Sequence, residues 1–179
     1  MQVDLLMRRA ATAVTIGCVT VVAGSALLMA VPALRDRWGK TPPANAGYRV
    51  GERIDLPATI HESFPLTLLL FTRAGCGACQ TAQPAFASLV GGLRDRSSIR
   101  TLMIVREGTE PEEREYLRAI GLDEDRLIGV DFRNLRLRRV PTMVLVDRHG
   151  EVRYSLEGVP TALNQEELLR IAAAMTVVR

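Results

Sequence analysis

Cys76 and Cys79 are the residues whose type and spacing most directly permit chemistry. Two thiols three positions apart can close a small disulfide ring when the first sits at the exposed start of a helix and the second one turn inside. The unpartnered amide N–H groups and positive end of such a helix stabilise a thiolate on the first cysteine. Arg73 adds a positive charge nearby. A thiolate at Cys76 attacks a partner disulfide to give a mixed disulfide, and Cys79 then resolves it.

Other uses of a cysteine pair fit less well. Zinc needs two further ligands, and the spare histidines, His61 and His149, have no paired ligand spacing. An iron–sulfur cluster needs four cysteines. A purely structural bridge across so short a loop removes little unfolded-state entropy. No metal and no cofactor beyond the Cys76–Cys79 pair itself is expected.

The neighbouring segments have the character needed to position such a pair. Leu66 to Thr72 (LTLLLFT) is a short apolar run between Pro65 and Gly75, and reads as a strand buried on both faces. Gly77 to Leu93 reads as a helix with Phe86, Leu89, Val90 and Leu93 inward, kinked by Pro84. Ile99 to Val105 is a second buried strand. Pro111 to Ile120 is a helix with Glu112, Glu113 and Glu115 near its positive end, stopped by Gly121. Pro141–Asp147 and Glu151–Leu156 flank a tight turn, Arg148-His149-Gly150, as a hairpin. Asn164 with Glu167 three residues on opens the last helix as a capping box. The expected order is β-α-β-α-β-β-α, an α/β domain.

The full chain has 179 residues, 47% of them hydrophobic and 24% charged, with a net charge of +3. This excludes a disordered or collagen-like chain, and three cysteines exclude a disulfide-stapled mini-scaffold. The weak positive charge, without a basic helix or aromatic ladder, argues against nucleic-acid binding.

Residues 10–34 carry no charge and are bounded by Arg9 and Arg35. Such a stretch is long enough to span a bilayer and longer than an ordinary secretory apolar region. It reads as one uncleaved transmembrane signal anchor, after a short cytoplasmic N-terminus (1–9), in contact with lipid through residues 10–34. Cys18 inside it serves as a small hydrophobe. Residues 35–47 form a linker rich in Pro and Ala, which leaves residues 48–179 as the catalytic domain on the far side of the membrane.

Phe71-Thr72-Arg73-Ala74-Gly75-Cys76-Gly77-Ala78-Cys79 with Pro84 resembles the thioredoxin-fold active site. Val140-Pro141-Thr142 resembles that fold's cis-proline loop. Met143 to Val152, with Asp147 and Gly150, and the lead-in Gly51 to Leu56 resemble the TlpA-like branch, the membrane-anchored thiol–disulfide oxidoreductases of bacterial envelopes. The resemblance implies a thioredoxin-like fold, a central mixed β-sheet flanked by helices. It implies Cys76 as nucleophile, Cys79 as resolving thiol, and Val140, cis-Pro141 and Thr142 as the substrate-binding loop. Gly77, Ala78, Pro84 and Arg73 would support the helix and the thiolate. Implied partners are thiol- or disulfide-containing envelope proteins and a membrane dithiol donor, at the bacterial cytoplasmic membrane with the domain facing the periplasm or exterior.

The chain also departs from the pattern. Leu70 stands where thioredoxins place a buried carboxylate, and Ala82 where several TlpA-like proteins place a glutamate. Glu107, just after the Ile99–Val105 strand, could approach the pair but reads first as a solvated loop residue, which leaves water as the acceptor for the Cys79 proton. Arg139, with Arg133, Arg136 and Arg138, suggests either a solvated basic loop or a guide for an acidic partner segment. Gly77-Ala78 contains no histidine to favour the thiolate, which points to a reductant or isomerase-like role; the TlpA-like resemblance implies a reductant, for example of the cytochrome c maturation type. A peroxiredoxin-like peroxidase and a non-catalytic binding module are the alternatives. The peroxidase pattern is absent, since Leu69 and Arg73 stand where it needs Pro and Thr or Ser.

Overall fold

The computed structural model describes residues 47–177. Five strands and three helices follow one another: β1 (Leu66–Phe71), α1 (Gly77–Leu93), β2 (Ile99–Arg106), α2 (Glu110–Ala119), β3 (Leu127–Val130), β4 (Thr142–Asp147), β5 (Val152–Glu157) and α3 (Ala162–Val177). They form one mixed sheet in the order β3-β2-β1-β4-β5. β1, β2 and β3 run parallel, whereas β4 is antiparallel to β1 and to β5. β1 is therefore central, and every one of its residues is buried.

The period-two alternation of a strand divides the core in two. Leu66, Leu68 and Leu70 face a layer containing Phe86 and Leu89 of α1, Leu117 of α2 and Leu168 of α3. Leu69 and Phe71 face the opposite side, where Tyr48 and Ile54 of the lead-in and Leu135 of the β3–β4 segment close the core. Among the described residues, then, helices line one face of the sheet and irregular chain covers the other. On that second face the regular pieces are two 3-10 turns, Ala58–Ile60 and Phe132–Asn134, with Ile60 and Phe132 packed on the core.

β3 escaped the sequence reading. Its four residues, LIGV, are too few to show a period, and all are half-buried because the strand lies at the sheet edge. The last helix also begins earlier than expected. Thr161, not Asn164, caps it: the Asn164 N–H donates to Thr161 Oγ1 at 3.3 Å, and the Thr161 N–H donates to Asn164 Oδ1 at 3.0 Å. This is a reciprocal capping box with asparagine in the role usually taken by Glu or Gln. The hairpin turn is where expected. Asp147 Oδ1 accepts from the His149 and Glu151 amides at 2.8 and 3.0 Å, and its other oxygen pairs with Arg153 at 2.6 Å. α1 runs unbroken through Pro84, whose exposed ring faces solvent.

Among the described residues no helix is long and apolar enough to cross a membrane. The expected anchor (10–34), its flanking segment 1–9, Cys18 and most of the linker lie outside them.

Candidate active site

β1 ends at Phe71, and the chain turns through Arg73–Gly75 into α1. Gly75 has φ +70°, a left-handed conformation that costs a residue with a Cβ roughly 1–2 kcal/mol. Cys76 then occupies the cap position of α1. The Cys76 N–H donates to Arg73 O at 3.2 Å, and the Cys79 N–H donates to Cys76 Sγ at 3.2 Å. The Cys76 sulfur thus accepts the hydrogen bond that a serine or aspartate oxygen makes at an ordinary helix start. Both cysteines are unbridged and buried, Cys76 at 8% exposure and Cys79 at 2%. The outer thiol is the more accessible one.

The Val140–Pro141 peptide is cis. It brings the Val140 carbonyl to 3.8 Å from Cys76 Sγ, where the thiol donates to it. Residues 64 positions apart in the chain therefore meet through the antiparallel pairing of β1 with β4, in which Phe71 lies opposite Thr142. Pro141 and Thr142 are buried. The Thr142 hydroxyl is committed to Arg139 O at 2.7 Å, so it braces the loop rather than facing a substrate. Of the three loop residues expected to bind substrate, Val140 is the one left partly exposed.

The arginines after β3 do not form a free basic cluster. Arg133 grips Asp131, with Nη2 at 2.8 Å. Arg138 and Arg139 both approach Glu157, at 3.9 and 3.5 Å. Arg136 donates to Asp55 at 2.8 Å, to Glu52 at 3.1 Å and to the Arg53 carbonyl at 2.7 Å, with its guanidinium 5.0 Å above the Tyr48 ring. Arg136 ties the segment to the lead-in and Arg138 and Arg139 approach β5, while Arg133 pairs within its own turn. Arg73 is likewise exposed, and its amide rather than its guanidinium bears on Cys79, lowering the thiol's proton affinity.

Glu107 is misplaced as a proton acceptor. It is exposed in the loop after β2, its N–H bonded to Val130 O at 2.9 Å. The carboxylate behind the pair is Glu113 of α2, only 2% exposed. Its Oε2 lies 3.5 Å from the Thr72 hydroxyl, and its Oε1 has no hydrogen-bond partner. One turn further on, the Tyr116 hydroxyl donates to Cys79 O at 2.7 Å. A cavity of about 400 Å³ opens here, lined among others by Arg73, Cys76, Cys79, Gln80, Glu113 and Tyr116.

Burial shifts Cys79, Glu113 and Tyr116 toward their neutral forms. The Cys79 thiol is held well above the usual cysteine range, by burial first and then by its hydrogen bond with Cys76, with the Glu113 charge adding to both. The Glu113 carboxyl is raised by burial, partly offset by the Ala74 amide and the Thr72 hydroxyl. The Tyr116 phenol is raised by burial and by the charges at Cys79 and Glu113. Sequence reading passed over Glu113 because three glutamates in the first turns of a helix look like partners of its dipole. Its i, i+4 relation to the buried Leu117 was the available signal, since it puts both on the inward face.

A five-stranded sheet with three parallel strands, a Cys-x-x-Cys pair capping the helix after its central strand, and a cis-proline loop against the first sulfur decide the architecture. The fold is thioredoxin-like. Similar solved structures include a candidate protein disulfide isomerase from Bacteroides thetaiotaomicron (TM-score 0.53, 19% identity, 71% of this chain and 89% of that one). A candidate thioredoxin from Neisseria meningitidis matches with a TM-score of 0.53 and 17% identity, over 68% of this chain and 82% of that one. The MTB dsbF protein, solved in mixed oxidised and reduced forms, matches with a TM-score of 0.51 and 17% identity, over 75% of this chain and 99% of that one. No family model and no curated relative matches the sequence. At these identities the thioredoxin-like likeness is one of fold.

Proposed function

We propose that this chain is a membrane-anchored thiol–disulfide oxidoreductase of the cell envelope that reduces disulfides in protein substrates. The observation that carries the reading is the Cys76 sulfur, held between the Cys79 amide and the Val140 carbonyl beside a cis-proline. In the forward reaction the Cys76 thiolate attacks one sulfur of a substrate disulfide and the other sulfur leaves as a thiolate. Cys79, as thiolate, then attacks Cys76 Sγ and releases the second substrate sulfur. Two electrons pass to the substrate, the domain is left with a Cys76–Cys79 disulfide, and a dithiol donor at the membrane restores it. Thioredoxin-like oxidoreductases of this kind carry the electrons on their own cysteines and need no external cofactor. An extended substrate segment pairs with the backbone at Val140, as an added strand.

The reductant direction rests on Gly77-Ala78, which lacks a cationic side chain to favour the thiolate form. The envelope location rests on the uncharged segment 10–34.

The test is trapping. A Cys79→Ser variant should accumulate mixed disulfides with envelope proteins, because Cys76 still attacks and nothing resolves the product. Cys76→Ser should accumulate few. Equal trapping by both variants refutes the assignment of roles, and no adducts with either refutes the activity.

A further inference from the structure

Two carboxylates, Glu113 and Asp147, are buried among the described residues. Both oxygens of Asp147 are occupied by the hairpin turn and by Arg153. Glu113 is different: Oε2 has one long contact with Thr72, and Oε1 has none. Leaving a buried acceptor unmatched costs about 1–3 kcal/mol, and more when it is charged. α2 buries this oxygen, and Glu113 lines the cavity that Cys76 and Cys79 also line.

We propose that Glu113 accepts the Cys79 proton in the resolving step. The inference rests on the oxidoreductase reading above and adds the residue that makes its second half possible. As Cys79 Sγ bonds to Cys76 Sγ, the bond between Cys76 and the substrate sulfur breaks, and its electron pair leaves with the substrate as a thiolate. The Cys79 proton passes to Glu113 Oε1. Glu113 later returns it to water through the cavity, and the substrate thiolate takes its own proton from solvent.

The surroundings favour this division of labour. From the end of β1 and the following loop, Thr72 and the Ala74 amide act on the carboxylate. From α1, Cys76 and Cys79 face it, and from α2 itself Glu112 and Tyr116 do. Arg73 and Glu115 stand at the cavity wall. Tyr116 cannot be the acceptor, because its phenol already carries a proton that it donates to Cys79 O. Burial raises the proton affinity of Glu113 and so narrows its gap to the thiol, which is what efficient proton transfer needs.

The test separates the two halves of the reaction with the aromatic disulfide 5,5′-dithiobis(2-nitrobenzoate), using the full chain in a Cys18→Ser background. Attack by Cys76 releases one coloured thiolate, and resolution by Cys79 releases a second. Glu113→Gln should lower the ratio of second-step to first-step rate by about tenfold or more. It should also remove a carboxyl inflection from the pH profile of the second step, and Glu113→Asp should restore part of both. An unchanged ratio with the inflection retained refutes the role of Glu113, as does equal slowing of both steps. Should Glu113→Gln fail to fold, the unsubstituted chain still decides, since a second step without an inflection from about pH 4 to 8 refutes the proposal. Absence of the first release refutes the oxidoreductase reading, and this inference with it.

Discussion

Arg136 is the most consequential side chain outside the redox pair. It holds three partners on the lead-in, Asp55, Glu52 and the Arg53 carbonyl, and covers the Tyr48 ring. Tyr48 closes the circuit by donating to Asp55 at 3.2 Å and accepting from the Arg136 amide at 3.3 Å. The guanidinium arm is 18% exposed, Glu52 22% and Asp55 41%, so the pairs lie between surface and interior. Each surface-type pair contributes at most about 1 kcal/mol, and a broken buried one costs about 3–5 kcal/mol. With the ring contact included, loss of the whole arm should cost about 3 kcal/mol. For a domain of this size that is a fall of about 10 °C in melting temperature. Arg136→Ala should show it in urea unfolding. Arg136→Lys should recover less than half, since an ammonium cannot span three acceptors in one plane. Because residue 136 opens the segment that ends at cis-Pro141, Arg136→Ala should also slow reaction of Cys76 with a protein disulfide more than with a small one. A stability loss below about 0.5 kcal/mol would refute the claim that this network fastens the loop.

Two other predictions concern Glu113 and the cap of α3. Burial raises the Glu113 carboxyl above its unfolded value, so the native state binds that proton more tightly than the unfolded chain. Its contribution is fully present below the unfolded glutamate value of about 4.3 and is lost as pH rises through the folded value. Glu113→Gln should therefore flatten the fall in stability toward neutral pH and make the domain about 1–3 kcal/mol more stable there, read by urea midpoints across pH; parallel pH profiles would contradict this. Thr161→Ala should cost about 1 kcal/mol by removing the cap of α3, whereas Glu167→Ala should cost less than half of that, and the reverse order in thermal unfolding would restore Asn164 as the cap.

What was legible in the sequence is whatever depends on neighbours along the chain. An unbroken apolar run (66–71) makes a central strand, two cysteines three apart after a turn make a dithiol, and Asp147 with Gly150 makes a tight hairpin. Each is set by periodicity or by backbone geometry within a few residues. β3 was illegible because four edge residues have no period of their own and become a strand only by pairing with β2.

Charge pairing was illegible for a related reason. Arg133, Arg136, Arg138 and Arg139 form a basic run in sequence; Arg133 pairs locally with Asp131, yet the partners of the other three, Glu52, Asp55 and Glu157, come from the lead-in and from β5. Neutralisation by residues brought from elsewhere is a property of the assembled surface alone. The redox pair itself shows the same boundary. Sequence by itself determined that Cys76 and Cys79 share a helix start, because three residues of helix are local. Tertiary structure decided which carboxylate stands behind them, because Glu113 is carried in on a helix 34 residues after Cys79 and is aimed inward only by the burial of Leu117 against the sheet.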